Sequence, residues 1–148
     1  MERKRILVSA CLLGTPCKYS GGSNRNLKVI EVIEQAGLEA VPICPEVMGG
    51  LPTPRVPAEI REDRVMTKDG RDVTAEFLRG AELALKTAKE NGCSTAILKE
   101  RSPSCGCGRI YDGSFQGNLI SGDGITARRL RAAGIRILGE GNVAELSG

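Results

Sequence analysis

Apolar and polar positions along this chain switch between two periods, and the switches divide it into elements. Residues 5–10 (Arg-Ile-Leu-Val-Ser-Ala) hold a short branched apolar run, which predicts a buried strand. Over 27–35 the spacing becomes helical, with Leu27, Ile30 and Ile33 on one face and Gly37 placed to close it. Residues 38–43 predict a second strand; Pro42 has no N–H to give a ladder, so this strand belongs at a sheet edge or the proline near a strand end. Four prolines and two adjacent glycines over 45–57 predict an irregular loop. The clearest helix is 74–91, where Phe77, Ala81, Ala84, Leu85 and Ala88 form one apolar stripe, Thr74 is placed to cap the start and Gly92 to end it. A third strand follows over 94–99. A short helix over 126–133 and a strand over 135–138 complete the pattern, after a glycine-rich stretch that begins beyond Cys107.

Strands separated by helices need crossover connections, so the sheet should be mostly parallel with helices on both faces. The expected class is α/β, a three-layer α/β/α arrangement with a Rossmann-like sheet. At 148 residues with 41% hydrophobic content, the chain has the size of one domain spanning 1–148. No apolar run approaches the ~20 residues of a membrane span, and the basic start leads into an apolar run too short for a signal-peptide core. A cytoplasmic protein is expected. A net charge of +3, scattered basic residues, and two Phe, two Tyr and no Trp argue against a nucleic-acid partner.

The chemistry lies in six cysteines set in a chain with no histidine. In a reducing compartment, metal or catalytic roles outrank a disulfide framework. Cys11 falls just after the first predicted strand, Cys44 just after the second, and Cys105 a few residues after the third. Ligands of open α/β sheets gather outside the carboxyl ends of the strands, so three thiols from distant segments should converge there. Cys93 precedes the third strand and belongs at the opposite edge, as a small buried hydrophobe. Cys17, six residues beyond Cys11, and Cys107, two beyond Cys105, are compatible with the site or with spare thiols.

Three thiolates suit zinc or an iron–sulfur cluster. Structural zinc sites usually use paired C-x₂₋₄-C knuckles, and this chain has none. Single cysteines from remote loops better suit a cubane, and three ligands for four irons leave one iron open as a Lewis acid. An electron carrier would fill all four positions, in which case Cys11, Cys17, Cys44 and Cys105 would all ligate. The remaining rival is a structural zinc module that binds nucleic acid.

The stretches ILVSACLLGTPCKYSG, VPICPEVMGGLPTPRVPAEI, GRDVTAEFLRGAELAL, AILKERSPSCG and IYDGSFQG resemble the DUF523 family, whose characterised members are thiouracil desulfidases. The resemblance runs from Ile6 to about Ile137. It implies an oxygen-sensitive [4Fe-4S] cluster held by Cys11, Cys44 and Cys105, and a small thiolated base or nucleotide as substrate. It makes Glu46 of the CPE stretch the acid/base residue and Ser102 of SPSCG a catalytic helper. The chain departs from the family pattern at Cys17-Lys18-Tyr19-Ser20-Gly21, where many relatives carry Arg and Asp. Arg128-Arg129 and Cys107 also depart from it.

With no histidine, Glu46 is the nearest base to a ligand and could move a proton from water to the collapsing intermediate. Ser102 could bond that intermediate, with Ser104 as deputy, since Ser-Pro-Ser also makes a turn that delivers Cys105. Lys99 and Arg55 are candidates for a substrate carbonyl or phosphate. Tyr111 and residues 112–124 are candidates to close over the base.

Overall fold

In the computed structural model, which describes residues 4–17 and 20–146, the chain runs β1 (Arg5–Ser9), a 3-10 turn (Ala10–Leu13), α1 (Leu27–Gln35), β2 (Glu39–Ile43), α2 (Pro45–Met48), β3 (Ala58–Arg61), β4 (Arg64–Thr67), α3 (Thr74–Glu90), β5 (Thr95–Leu98), β6 (Arg109–Tyr111), β7 (Leu119–Ser121), α4 (Ile125–Ala132), β8 (Arg136–Gly139) and a closing 3-10 segment (Glu140–Leu146). Four strands pair in parallel in the order β2-β1-β5-β8. Side chains alternate across a strand, so Ile6 and Val8 face one layer and Leu7 the other. Ile6 and Val8 pack on Val29, Val32 and Ile33 of α1 and on Val143. Leu7 and Leu98 pack on Ala84, Leu85 and Ala88 of α3 and on Leu130 of α4. The expected three layers are present.

The strand order sets the position of the site. From β1 the chain leaves through α1 to β2 on one side, then returns through α3 to β5 on the other. Such a reversal opens a crevice at the carboxyl ends of the two central strands. As expected of an edge strand, β2 pairs among the described residues only with β1, and its Pro42 lies opposite Val8.

Several local expectations are corrected. Leu27 is 68% exposed: Asn26 caps α1 by accepting the Val29 amide at 3.2 Å, so Leu27 is the first residue of the helix and points away from the face that Val29, Val32 and Ile33 bury. Thr74 does not cap α3. Its hydroxyl accepts the Val65 amide of β4 at 2.9 Å, while Asp72 Oδ1 accepts the Thr74 amide. The proline-rich stretch over 45–57 is not wholly irregular, because α2 begins at Pro45, a position where a missing N–H costs nothing. Two antiparallel hairpins, β3–β4 and β6–β7, lie in stretches expected to be irregular or left unassigned. They share a small core of Ile60, Val65, Ile110, Phe77 and Ala81. The turn residues Glu62-Asp63 resemble no favoured hairpin dipeptide, and three-residue strands are too short to show a period.

α2 packs on α3 at backbone distance. A Cβ on Gly80 of α3 would stand 1.9 Å from the Pro45 carbonyl oxygen. Alanine normally gains up to about 1 kcal/mol over glycine in a helix, but here overpacking of about 1–3 kcal/mol or more wins. Gly80→Ala therefore lowers the thermal midpoint; a midpoint equal to or above the parent's would show that α2 yields freely.

Candidate active site

A cavity of about 530 Å³ opens at the carboxyl ends of β1, β2 and β5. Cys11, from the turn after β1, Cys44, from the junction of β2 and α2, and Cys105, from the loop after β5, all line it. Cys17 lines it too. Cys107 is not among its lining residues, and the charges around that thiol are Glu100, Asp123 and Arg131. Cys93 is buried at the other end of β5, where its amide donates to the Ala88 carbonyl at 2.9 Å.

The thiols differ in character. The Cys17 thiol hydrogen-bonds Cys11 and Cys44 and holds their pKa values down, to about 7 and about 6, against the opposing effect of burial. The same contacts push Cys17 strongly up, so it is the member that keeps its proton. That single proton serves one neighbour at a time. The Asn24 side chain adds to the effect on Cys11, and the Val47 amide and Arg55 to that on Cys44. Burial pushes Cys105 up to about 12, opposed by the Ser9 and Ser104 hydroxyls.

The loop that carries Cys105 is tied at both ends. Ser102 Oγ accepts the amides of Ser104 and Cys105, each at 3.1 Å. The first amides of α4, which have no intrahelical partner, donate instead to this loop: Ile125 to the Pro103 carbonyl and Thr126 to the Ser104 carbonyl, at 2.9 and 2.8 Å. Gly124 permits the approach, since a Cβ there would meet the Ser104 carbonyl oxygen at 2.4 Å.

Glu46, in the first turn of α2, is held through both oxygens. Its Oε1 pairs with Arg55 Nε at 3.3 Å, and its Oε2 accepts from Ser104 Oγ at 3.3 Å. Ser104 Oγ lies 3.0 Å from Ser102 Oγ, so the three side chains form one line. Ser104 is thus the direct neighbour of Glu46, and Ser102, the residue favoured from sequence, stands one place behind it. The Arg55 side chain is 6% exposed and also donates to the carbonyls of Pro52 and Cys17 and to Thr53 Oγ1. It ties the Cys17 loop to α2, which leaves little of its fork for a substrate. Lys99 lines the cavity, with its ammonium paired to Glu140 and its amide donated to Ser9 Oγ at 2.9 Å.

The β6–β7 hairpin supplies a further wall, with Tyr111, Phe115 and Gly117. Phe115 adopts a left-handed backbone at φ 59°, a conformation that costs a non-glycine residue roughly 1–2 kcal/mol. Glu59 Oε1 accepts the amides of Gly113 and Phe115, each at 3.1 Å. Ser9, Asn24 and Glu59 carried no signal in the sequence, because each acts through partners that only the fold brings near. Lys18 and Tyr19 lie outside the described residues.

Comparison with known proteins agrees with the thiol-lined cavity. A family profile described as 2-thiouracil desulfurase matches residues 6–142, a span that contains Cys11, Cys17, Cys44 and Cys105. The uncharacterized protein YbbK of Bacillus subtilis is 42% identical over 151 residues, covering 95% of this chain and 99% of that protein. A solved structure described as the [4Fe-4S]-dependent thiouracil desulfidase TudS superposes with a TM-score of 0.91 at 49% identity, covering 98% of this chain and 96% of that one. A profile match across almost the whole chain, together with likeness of this degree in both sequence and fold, means that the protein belongs to the 2-thiouracil desulfurase family.

Proposed function

We propose that the protein is a [4Fe-4S]-dependent desulfidase that hydrolyses a thiolated pyrimidine base or nucleotide to the oxo product and hydrosulfide, with Cys11, Cys44 and Cys105 holding the cluster. The observation that carries this reading is the opening of three strand-end thiols onto one cavity beside a doubly held carboxylate. The donor set fits the group. Thiolates are the ligands that iron–sulfur clusters take, and the buried Cys105 thiol, costly to ionise alone, is of the kind that metal binding deprotonates. Among the described residues no three His, Cys, Asp or Glu side chains stand close enough to share one ion; a cubane instead takes each thiolate at a separate corner.

When bound, the cluster supplies a soft Lewis-acidic iron for the substrate's sulfur. The protein does the rest. Glu46 accepts a proton from water, whose oxygen adds to the ring carbon bearing the sulfur. Glu46 then returns that proton to the sulfur, the carbon–sulfur bond breaks with its electron pair leaving on sulfur as hydrosulfide, the added hydroxyl loses its own proton as the oxo group forms, and no outside oxidant or reductant is needed. Arg55 and Ser104 fix the carboxylate during these transfers, and Ser102 holds Ser104 and the Cys105 loop.

The test is anaerobic reconstitution, assays for iron, sulfide and zinc, and measurement of sulfide released from 2- and 4-thiouracil. About four irons per chain and steady release support the proposal; a colourless zinc protein without turnover overturns it. Cys93→Ser should keep iron and turnover at parental levels and lower only the melting midpoint, because burying a hydroxyl costs about 1–3 kcal/mol. Iron loss in that variant would contradict the ligand assignment.

One observation favours a second reading, a sulfur-transfer or redox protein with four cysteine ligands: Cys17 touches both Cys11 and Cys44. Cys17→Ala separates the two. The variant keeps cluster and turnover if the enzyme uses three ligands, and loses the cluster if it uses four.

A further inference from the structure

One wall of the cavity takes no part in the chemistry above. It is the β6–β7 hairpin, where Tyr111 at the end of β6 and Phe115 in the turn are the aromatic residues among the described residues that line the cavity. The chain has only two Phe and two Tyr, and Phe77 is fully buried in the core beneath the hairpins. Half of a scarce residue class therefore stands at the cavity.

Phe115 is also held there against its preference. Its φ of 59° is unusual for a bulky side chain, and such conformations persist where the surroundings over-determine them, often at ligand clamps. Here the surroundings are on β3. The Glu59 carboxylate accepts the amides on either side of Ser114, those of Gly113 and Phe115, and Gly113 lies so close to β3 that a Cβ would meet the Ile60 carbonyl oxygen at 2.9 Å. Glu59 lines the same cavity. The turn is thus mounted on one side chain of a neighbouring hairpin.

We propose that Phe115, with Tyr111, is the face against which the planar ring of the substrate stacks, and that Glu59 is the positioning residue that holds Phe115 in its left-handed conformation. This rests on the reading of the site as one for a thiolated pyrimidine. Every pyrimidine base has a π-face, and stacking on an aromatic side chain tolerates differences in ring substituents. The wall therefore selects a flat, unsaturated ring over a puckered one.

Steady-state kinetics of the cluster-loaded protein with 2-thiouracil and its 5,6-dihydro counterpart, whose ring is saturated and puckered, test this. In Phe115→Leu the KM for thiouracil should rise about tenfold with kcat within about threefold, and the parent's preference for the flat ring should shrink by a similar factor. Phe115→Trp should restore both. Glu59→Ala should resemble Phe115→Leu, and the double variant should be no worse than either single one, since both remove the same face. An unchanged KM and preference in Phe115→Leu, or additive losses in the double variant, would overturn the proposal. The chain has no tryptophan, so Phe115→Trp also gives a single indole in the wall, and uracil should quench its emission. If the parent releases no sulfide from thiouracil, the desulfidase reading fails separately. The stacking face is then judged on that titration alone: quenching supports it and no quenching overturns it.

Discussion

Glu46→Gln should release sulfide about 10²–10⁴-fold more slowly than the parent, the usual contribution of general acid–base catalysis. Gln retains an oxygen for Arg55 Nε, and its amide can donate to Ser104 Oγ, so the side-chain line at 3.0–3.3 Å survives in altered polarity. What it loses is the ability to take and return a proton. The Arg55 charge, 6% exposed, loses its counter-ion, which should cost about 1–3 kcal/mol and lower the melting midpoint. Iron content and the spectral response to thiouracil should stay near parental values. A rate within a few fold of the parent would reduce Glu46 to the structural partner of Arg55, and loss of iron would make it a support of the cluster loops.

Cys105→Ala should abolish turnover, because it deletes the proposed ligand from the β5 side of the crevice. Cys11 and Cys44 come from β1 and β2, on the other side. Iron and sulfide per chain should fall far below the parent's after the same reconstitution, and the visible absorption with them. The fold should remain, since the Cys105 loop is fastened by backbone bonds from α4 and by Ser102 rather than by the thiol; circular dichroism reads this directly. Full iron content in Cys105→Ala would refute the ligand assignment. Cys107→Ser, outside the cavity lining, is the matched control and should keep its iron.

Much of this molecule is legible along the chain because its causes are local. Alternation through Ile6, Leu7 and Val8, and the apolar stripe of α3, are written in neighbouring residues, so the layers follow from sequence. A cysteine just beyond a parallel strand lies at the carboxyl edge whatever the strand's neighbours are. For that reason Cys11, Cys44 and Cys105 could be grouped before any coordinates, and Cys93 set apart from them. The family motifs around those cysteines brought Glu46 and Ser102 into the same group.

Only the tertiary structure decided which residues meet. The order β2-β1-β5-β8 puts the crevice between β1 and β5, and no local period encodes that order. Ser104 reaches Glu46 across 58 positions of sequence. Arg55 and Lys99, both candidates for substrate from their charge and place in the chain, are engaged by Glu46 and by Glu140 once the loops dock. The two hairpins that wall the cavity are short strands that cannot stand alone; they exist because Ile60, Val65 and Ile110 find Phe77 and Ala81 of α3. Glu59 is the extreme case, a charged residue on a four-residue strand that acquires a role only when the turn carrying Phe115 folds down onto it. A side chain's type fixes what it can bond, but its partner is set by packing between segments far apart in sequence, and the chemistry of this site is made of such pairs.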